Sequence, residues 1–162
     1  MLAKMFVIAT AYTVLSASAW AQTPDSLRGT WTLVSSITDK DGMKTEQFGS
    51  GANGMMSLDA DGRFMLTIIG PDLAKFASNS RTTGTSEENK AVVSKSIAMI
   101  GTYTLNPADK TLIFRVENAT FPNWNGTEQK RSIVTASNDE LKYMTATASS
   151  GGVGIVTWKR AK

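Results

Sequence analysis

The chain has 162 residues, with 17 lysines and arginines against 14 aspartates and glutamates, which gives a formal net charge of +3. It contains no histidine and no cysteine, which excludes a histidine-based serine triad, a cysteine nucleophile, a zinc or copper site built on those residues and a histidine-ligated haem. The charge balance argues against a nucleic-acid partner, and we expect neither a cofactor nor a metal.

The first 21 residues have the composition of a secretion signal. Residues 1–4 form a short basic start, residues 5–15 are largely apolar, and Ala19 and Ala21 supply the small side chains that a signal peptidase requires. The alternative is a membrane anchor, but the apolar stretch is too short to span a bilayer. We therefore expect cleavage before Gln22, a periplasmic or secreted location, and no stable membrane insertion.

The remaining residues, 22–162, are predicted to form one domain. In its first part apolar residues alternate over short runs, which predicts strands. The predicted strands here cover residues 28–37, 43–48, 54–58 and 63–69. One face of the first strand carries Trp31, Leu33, Ser35 and Ile37. Asp-Gly sequences at residues 39–42 and 59–62 lack the ligand spacing of a calcium loop, so we interpret them as hairpin turns.

A helix is predicted in the middle of the chain, after a loop at residues 71–84. Thr85 and Glu88 have the spacing of a capping box, which predicts where the helix begins. We assign to this helix the apolar residues Ala91, Val92, Ile97, Ala98 and Met99. The later predicted strands cover residues 100–105, 110–117, 127–136, 140–147 and 155–160, with a second long loop at residues 118–126.

Eight to ten antiparallel strands with one short helix must close or stack, because an open sheet would leave two unpaired edges. We therefore predict an all-β fold with a single antiparallel barrel. Gly29-Thr30-Trp31 near the start of this barrel and Trp158-Lys159-Arg160 near its end resemble the lipocalins. In that family a tryptophan plugs the closed end and an arginine lies across it, which implies these places for Trp31 and Arg160. The alternative is an ordinary core tryptophan and an exposed terminal charge.

The resemblance is more specific to the bacterial and fungal lipocalin-like domain proteins. The segments that carry it are Leu27-Arg28-Gly29-Thr30-Trp31-Thr32-Leu33-Val34, Asp61-Gly62-Arg63-Phe64, Lys75-Phe76-Ala77-Ser78-Asn79, Gly84-Thr85-Ser86-Glu87-Glu88, Gly101-Thr102-Tyr103, Thr120-Phe121-Pro122-Asn123-Trp124 and Gln129-Lys130-Arg131. Most members of this group are presumed small-molecule binders or accompany biosynthetic pathways. The resemblance therefore implies a barrel fold and a small-molecule ligand, without implying which ligand.

Several polar residues share predicted strand faces with apolar ones and are candidates for binding a ligand inside the barrel. They are Tyr103, Arg115, Glu117, Gln129 and Arg131. If those faces point inward, Arg115 or Arg131 can bind the carboxylate of an organic acid through bidentate hydrogen bonds. The alternative is that these charges line the solvent face. The two long loops add candidates at the barrel mouth: Phe76, Asn79, Arg81, Phe121 and Trp124.

Three classes of function remain open. The first, which we favour over an enzyme, is a periplasmic or secreted binder of a small hydrophobic or organic-acid ligand. The second is an isomerase or cyclase in which Glu88, Glu117 or Tyr103 acts as general acid or base. The third is an inhibitor or envelope-stress protein that acts through the loop at residues 118–126. An open cavity with a buried arginine favours the first class, a paired acid and base the second, and a sealed barrel the third.

Overall fold

The computed structural model describes residues 24–162, within which nine strands form one antiparallel sheet. The strands are β1 (Gly29–Lys40), β2 (Met43–Glu46), β3 (Asn53–Leu58), β4 (Arg63–Ile69), β5 (Ser96–Asn106), β6 (Thr111–Ala119), β7 (Glu128–Ala136), β8 (Glu140–Thr145) and β9 (Val153–Arg160). The sheet closes because β1 pairs with β3 on one side and with β9 on the other, so eight strands form a barrel and β2 extends one edge of β1. The predicted all-β barrel is confirmed. The predicted signal peptide, residues 1–21, lies outside the described residues.

Alternating burial explains why these segments form strands around one core. On β4, Phe64, Leu66 and Ile68 are buried whereas their neighbours along the strand are exposed or half-buried. Successive side chains of a strand point to opposite faces, so this pattern places one apolar face of the strand inside the barrel. The largest fully buried side chains are Trp31, Trp158, Tyr143, Phe114, Leu27, Met56, Leu58, Leu112, Leu141 and Val116.

A β-bulge interrupts the alternation of β1. The register against β9 shifts between Leu33 and Ser35, and the residue between them, Val34, is 56% exposed. Beyond the bulge Ser36 and Thr38 are buried. A single extra residue exchanges the inward and outward positions that follow it. The continuous face predicted for this strand is therefore wrong beyond Leu33.

The structure has two α-helices within the described residues, α1 (Pro24–Leu27) and α2 (Ser86–Lys95). The predicted capping box at the start of α2 is confirmed, since the Glu88 N–H donates to Thr85 Oγ1 at 3.2 Å and the Thr85 N–H donates to Glu88 Oε2 at 2.8 Å. The predicted end of this helix is wrong, because residues 97–99 belong to β5 and pair with β4. Neither helix is long and apolar enough to cross a membrane.

Leu27, Trp31 and Arg160 lie together where β1 begins and β9 ends, and we call them the Trp31–Arg160 cluster. Trp31 is 0% exposed, and its indole N–H donates to the Leu27 carbonyl at 2.9 Å. The Arg160 guanidinium carbon lies 4.2 Å from the centroid of the Trp31 ring. The same guanidinium donates hydrogen bonds to the backbone carbonyls of Ser26, Arg28 and Asn138. The arginine thus lies across the tryptophan and joins β1, the chain before it and the turn before β8.

Candidate ligand-binding cavity

A cavity of about 330 Å³ occupies the half of the barrel that lies away from the Trp31–Arg160 cluster. Its apolar wall consists of side chains from β4, β5, β9 and two loops: Phe48, Leu66, Ile68, Ile97, Met99, Trp124 and Val156. Polar residues complete the lining: Ser36, Gln47, Thr127, Glu128, Gln129, Lys130, Arg131, Tyr143, Thr145, Thr147 and Ser149. A cavity of this volume that combines an apolar wall with polar groups can hold a small organic molecule. The polar groups of the wall therefore decide what kind of molecule fits.

Arg131 is the buried cation of this wall. It lies on the inner face of β7 and is only 7% exposed. Its guanidinium donates to the side-chain oxygen of Gln129 and to the Lys130 carbonyl, and it lies 5.8 Å from the centroid of the Phe114 ring. Burial lowers the pKa of Arg131, but a guanidinium remains protonated at neutral pH. Arg131 therefore keeps a positive charge inside the barrel.

No carboxylate within residues 24–162 pairs with Arg131. The ion pairs of this part of the chain join Arg28 to Asp25, Arg63 to Glu117 and Arg115 to Glu128. A buried charge is unfavourable unless an opposite charge or several hydrogen bonds compensate it. The side chain of Gln129 and one backbone carbonyl supply hydrogen bonds, but neither supplies a counter-charge.

Tyr143 lies beside Arg131 in the same wall, on the inner face of β8. Its side chain is 2% exposed. Burial raises the pKa of Tyr143, and the nearby Arg131 guanidinium and Trp158 indole only partly oppose this shift. The phenol therefore stays neutral at physiological pH and keeps a proton to donate. We call Arg131, Gln129 and Tyr143 the anion subsite.

Two further polar residues line the cavity on the side of β1. Ser36 is 6% exposed, and its hydroxyl donates to Gln47 Oε1 over a long 3.4 Å. The Gln47 N–H donates to the Ser36 carbonyl at 2.9 Å, which fixes the loop after β2 against β1. We call Ser36 and Gln47 the neutral subsite. Sequence reasoning missed both. It placed Ser36 on the opposite face from Trp31 and Leu33, and it placed Gln47 in a strand, whereas β2 ends at Glu46 and Gln47 lies in the loop after it.

Three of the candidate ligand residues, Trp124, Gln129 and Arg131, line the cavity. Trp124 ends a 3₁₀ turn (Pro122–Trp124), and its ring lies 5.5 Å from that of Phe121, centroid to centroid. The Thr127 hydroxyl donates to the Trp124 carbonyl at 2.7 Å, which pins this loop onto the start of β7. Trp124 therefore forms part of the wall, while Phe121 lies behind it.

Arg115 and Glu117 point away from the cavity. Leu112, Phe114 and Val116 occupy the inner face of β6, and Arg115 and Glu117 on its other face are exposed. Arg115 pairs with Glu128 at 3.3 Å, and Glu117 pairs with Arg63 at 2.9 Å, both on the outer surface. The inward placement considered for these two residues is wrong, because the three large apolar side chains of β6 already fill the inner face.

Tyr103 is buried but does not line the cavity. Its hydroxyl donates to the Asp59 carbonyl at 2.9 Å, and burial raises its pKa, with Arg28 partly opposing the shift. Glu88 is committed to the capping box and also accepts a 2.8 Å hydrogen bond from the Ala77 N–H. These hydrogen bonds lower the pKa of Glu88. The three proposed acid–base groups, Tyr103, Glu88 and Glu117, therefore occupy separate places.

The remaining candidates lie in the loop before α2. The Asn79 N–H donates to the Phe76 carbonyl at 2.9 Å, and Asn79 itself has a positive φ of 52°, so the segment forms a tight turn. Phe76 packs close to Gly84, and Arg81 is exposed. None of these three residues lines the cavity.

Within residues 24–162 no cluster of acidic residues is arranged to hold a metal ion.

A family model described as a lipocalin-like domain matches residues 28–161 of this chain. No curated protein matches the sequence. Among solved structures, a redesigned β-barrel is similar at 18% identity and a TM-score of 0.47, over 90% of this chain and 100% of that one. A lipocalin-like protein from Bacteroides uniformis is similar at 12% identity and a TM-score of 0.48, over 84% of this chain and 99% of that one.

Proposed function

The chain belongs to the lipocalin-like domain family, and on that premise we propose that it binds a small amphipathic organic acid inside its barrel. The carboxylate of this ligand lies against Arg131, and its apolar part fills the remainder of the cavity. At the level of the family the barrel is a ligand-binding fold; the choice of an acid rests on the residues of this chain.

The observation that carries the proposal is the buried guanidinium without a counter-charge. Arg131 is 7% exposed and lines the cavity, and no carboxylate of residues 24–162 forms an ion pair with it. A planar guanidinium matches the two oxygens of a carboxylate, and hydrogen bonds between charged groups are stronger than neutral ones. A bound acid would supply the missing charge, and the neutral Tyr143 hydroxyl can donate to it as well.

The apolar residues of the cavity determine the size and chemistry of the part of the ligand that lies beyond the carboxylate. Phe48, Leu66, Ile68 and Met99 are apolar and come from the loop after β2, from β4 and from β5, and Trp124 adds an aromatic face. A volume of about 330 Å³ admits a medium-length aliphatic or a small aromatic acid. Burial of such a chain contributes roughly 25 cal/mol for each Å² of apolar surface removed from water.

The alternatives receive less support. An isomerase or cyclase needs an acid and a base next to the same substrate, whereas Tyr103, Glu88 and Glu117 lie apart and outside the cavity lining. The loop at residues 118–126 is the element on which an inhibitor would depend. Its hydrogen bonds to neighbouring strands and the position of Trp124 in the cavity wall support a role in shaping the cavity.

The proposal predicts that the protein prefers an acid to the corresponding alcohol. We expect octanoate to bind with one molecule per barrel and about tenfold or more tighter than octanol, because hydrogen bonds to charged groups are worth roughly 1.5–3 kcal/mol. Isothermal titration calorimetry at neutral pH measures both affinities. A change in tryptophan fluorescence that is lost in Trp124→Phe reports whether the ligand enters the cavity, since Trp31 and Trp158 also emit. Equal affinities for octanoate and octanol would contradict the role of the guanidinium.

We further propose that the protein acts in the periplasm or outside the cell after residues 1–21 have been removed. The support is the basic start, apolar stretch and small residues of this segment. The intact mass of the protein purified from a bacterial envelope is expected to correspond to a chain that begins at Gln22. A mass that includes residues 1–21, in protein recovered from the cytoplasm, would contradict export.

A further inference from the structure

The neutral subsite lies on the wall of the cavity that faces β1, apart from the anion subsite. Ser36 is directly opposite Val156 of β9, and Val156 is directly opposite Tyr143 of β8. Ser36 and Tyr143 therefore lie on one row of the barrel, two strand spacings apart, which is about 10 Å along the wall. Both side chains are buried and both line the same cavity.

The bulge at Val34 is what brings the Ser36 hydroxyl into the barrel. Without the extra residue, the strand would point Ser35 and Ile37 inward and Ser36 outward. β-Bulges occur next to functional sites, where they re-aim a side chain. Here the result is a buried hydroxyl in a cavity that is also lined by apolar residues such as Leu66, Ile68 and Met99.

The hydrogen bond between Ser36 and Gln47 leaves this subsite incompletely satisfied. The two oxygens are 3.4 Å apart, whereas hydroxyl hydrogen bonds to oxygen are usually about 2.7–2.8 Å long. The Gln47 amide also carries two N–H donors. A ligand oxygen placed here could accept from the amide and exchange a hydrogen bond with the hydroxyl. A ligand without such an oxygen would remove water from these groups and supply no partner, which is unfavourable.

We propose that the preferred ligand carries a second, uncharged oxygen, a hydroxyl or a carbonyl, at the end of its chain opposite the carboxylate. The carboxylate occupies the anion subsite and the second oxygen occupies the neutral subsite. This inference rests on the proposed function, because it requires an acid held at Arg131. It makes Ser36 and Gln47 specificity-determining residues.

The test compares octanoate with ω-hydroxyoctanoate, whose extended chain is about as long as the separation of the two subsites. The native protein is expected to bind the hydroxy acid about fivefold tighter than octanoate, the gain that one net hydrogen bond gives. In Ser36→Ala the preference is expected to disappear, so that the two acids bind with about the same affinity. Gln47→Leu, which changes a residue of the loop after β2, is expected to lower the preference as well and provides a second variant.

Thr38→Ala is the matched control. Thr38 is a buried hydroxyl on the same face of β1, but its Oγ1 lies 3.2 Å from the Ser150 hydroxyl and the residue does not line the cavity. This variant is expected to keep the preference for the hydroxy acid. Calorimetry of the folded variants, checked by circular dichroism, measures all of these affinities.

The outcomes separate this inference from the proposed function. Two results would contradict the second ligand oxygen and leave the acid-binding function intact. In the first, octanoate binds and the hydroxy acid binds no tighter. In the second, Ser36→Ala and Gln47→Leu both keep the full preference. If neither acid binds to the native protein, the proposed function fails and this inference fails with it.

Discussion

Replacing Trp31 by alanine is expected to lower the free energy of unfolding by roughly 3 to 5 kcal/mol, as truncation of a buried large aromatic side chain does. Trp31 is completely buried, its indole N–H donates to the Leu27 carbonyl, and the Arg160 guanidinium lies over its ring. Alanine would leave a cavity beneath a cation that has lost its aromatic partner. Chemical denaturation followed by far-ultraviolet circular dichroism measures this loss.

Trp124→Ala is the control for Trp31→Ala, because Trp124 is half-buried in the cavity wall. We expect this change to cost less stability than Trp31→Ala and to weaken octanoate binding instead. If Trp31→Ala lost less than about 1 kcal/mol, well below the usual range for a buried aromatic residue, Trp31 could not be the structural plug of the barrel. The pairing with Arg160 would then contribute little to the stability of the barrel.

Replacing Arg131 by methionine is expected to weaken octanoate binding at least tenfold while octanol binding changes little. The reason is the loss of the charged hydrogen bonds, roughly 1.5–3 kcal/mol. Methionine has a similar length and no charge, so the wall of the cavity stays filled. The folded protein is expected to be as stable as before or more stable, because replacement of a buried charged group by an apolar one is often neutral or stabilising. Calorimetry gives the first result and chemical denaturation the second.

Arg115→Met is the matched control for Arg131→Met. The two arginines lie on neighbouring strands, but Arg115 is largely exposed and paired with Glu128 on the outer surface. We expect Arg115→Met to leave octanoate binding unchanged and to alter stability by less than about 1 kcal/mol, as for an exposed ion pair. If both variants bound octanoate as the native protein does, Arg131 would have no role in holding the ligand.

The barrel itself could be predicted because its evidence is local and repeated. Short alternating runs, Asp-Gly turns and the capping box at Thr85 each specify one element, and the closure follows from the number of strands. The end of α2 could not be predicted in this way. Residues 97–99 form a short apolar run, which alone does not distinguish a helix from a strand. Their pairing with β4, far away in sequence, decides that they form a strand.

The site could be predicted only in part. The alternation of side chains along a strand shows which residues share a face, but it does not show which face points into the barrel. On β6 the sequence does contain the answer, since Leu112, Phe114 and Val116 outweigh Ile113 and predict that Arg115 points outward. On β7 both faces mix polar and apolar residues, so the inward position of Arg131 becomes clear only from the closed sheet.

The bulge at Val34 could not be predicted from the sequence. Nothing in the residues around Val34 differs from an ordinary strand, yet one extra residue there decides whether Ser35 or Ser36 faces the cavity. Its cause is the fit between β1 and β9, two segments from opposite ends of the domain. The neutral subsite is therefore a property of the assembled barrel rather than of any local stretch of chain.

The pairing of β1 with β9 also determines when this protein can fold. The first strand of the domain pairs with the last one. While the chain is still being synthesised, β1 therefore has one unpaired edge until β9 has left the ribosome. Contacts so distant in sequence slow folding, and unpaired edges during that interval favour association with other chains. A chain truncated before Val153 would keep both open edges permanently, and we expect it to aggregate rather than to form a smaller barrel.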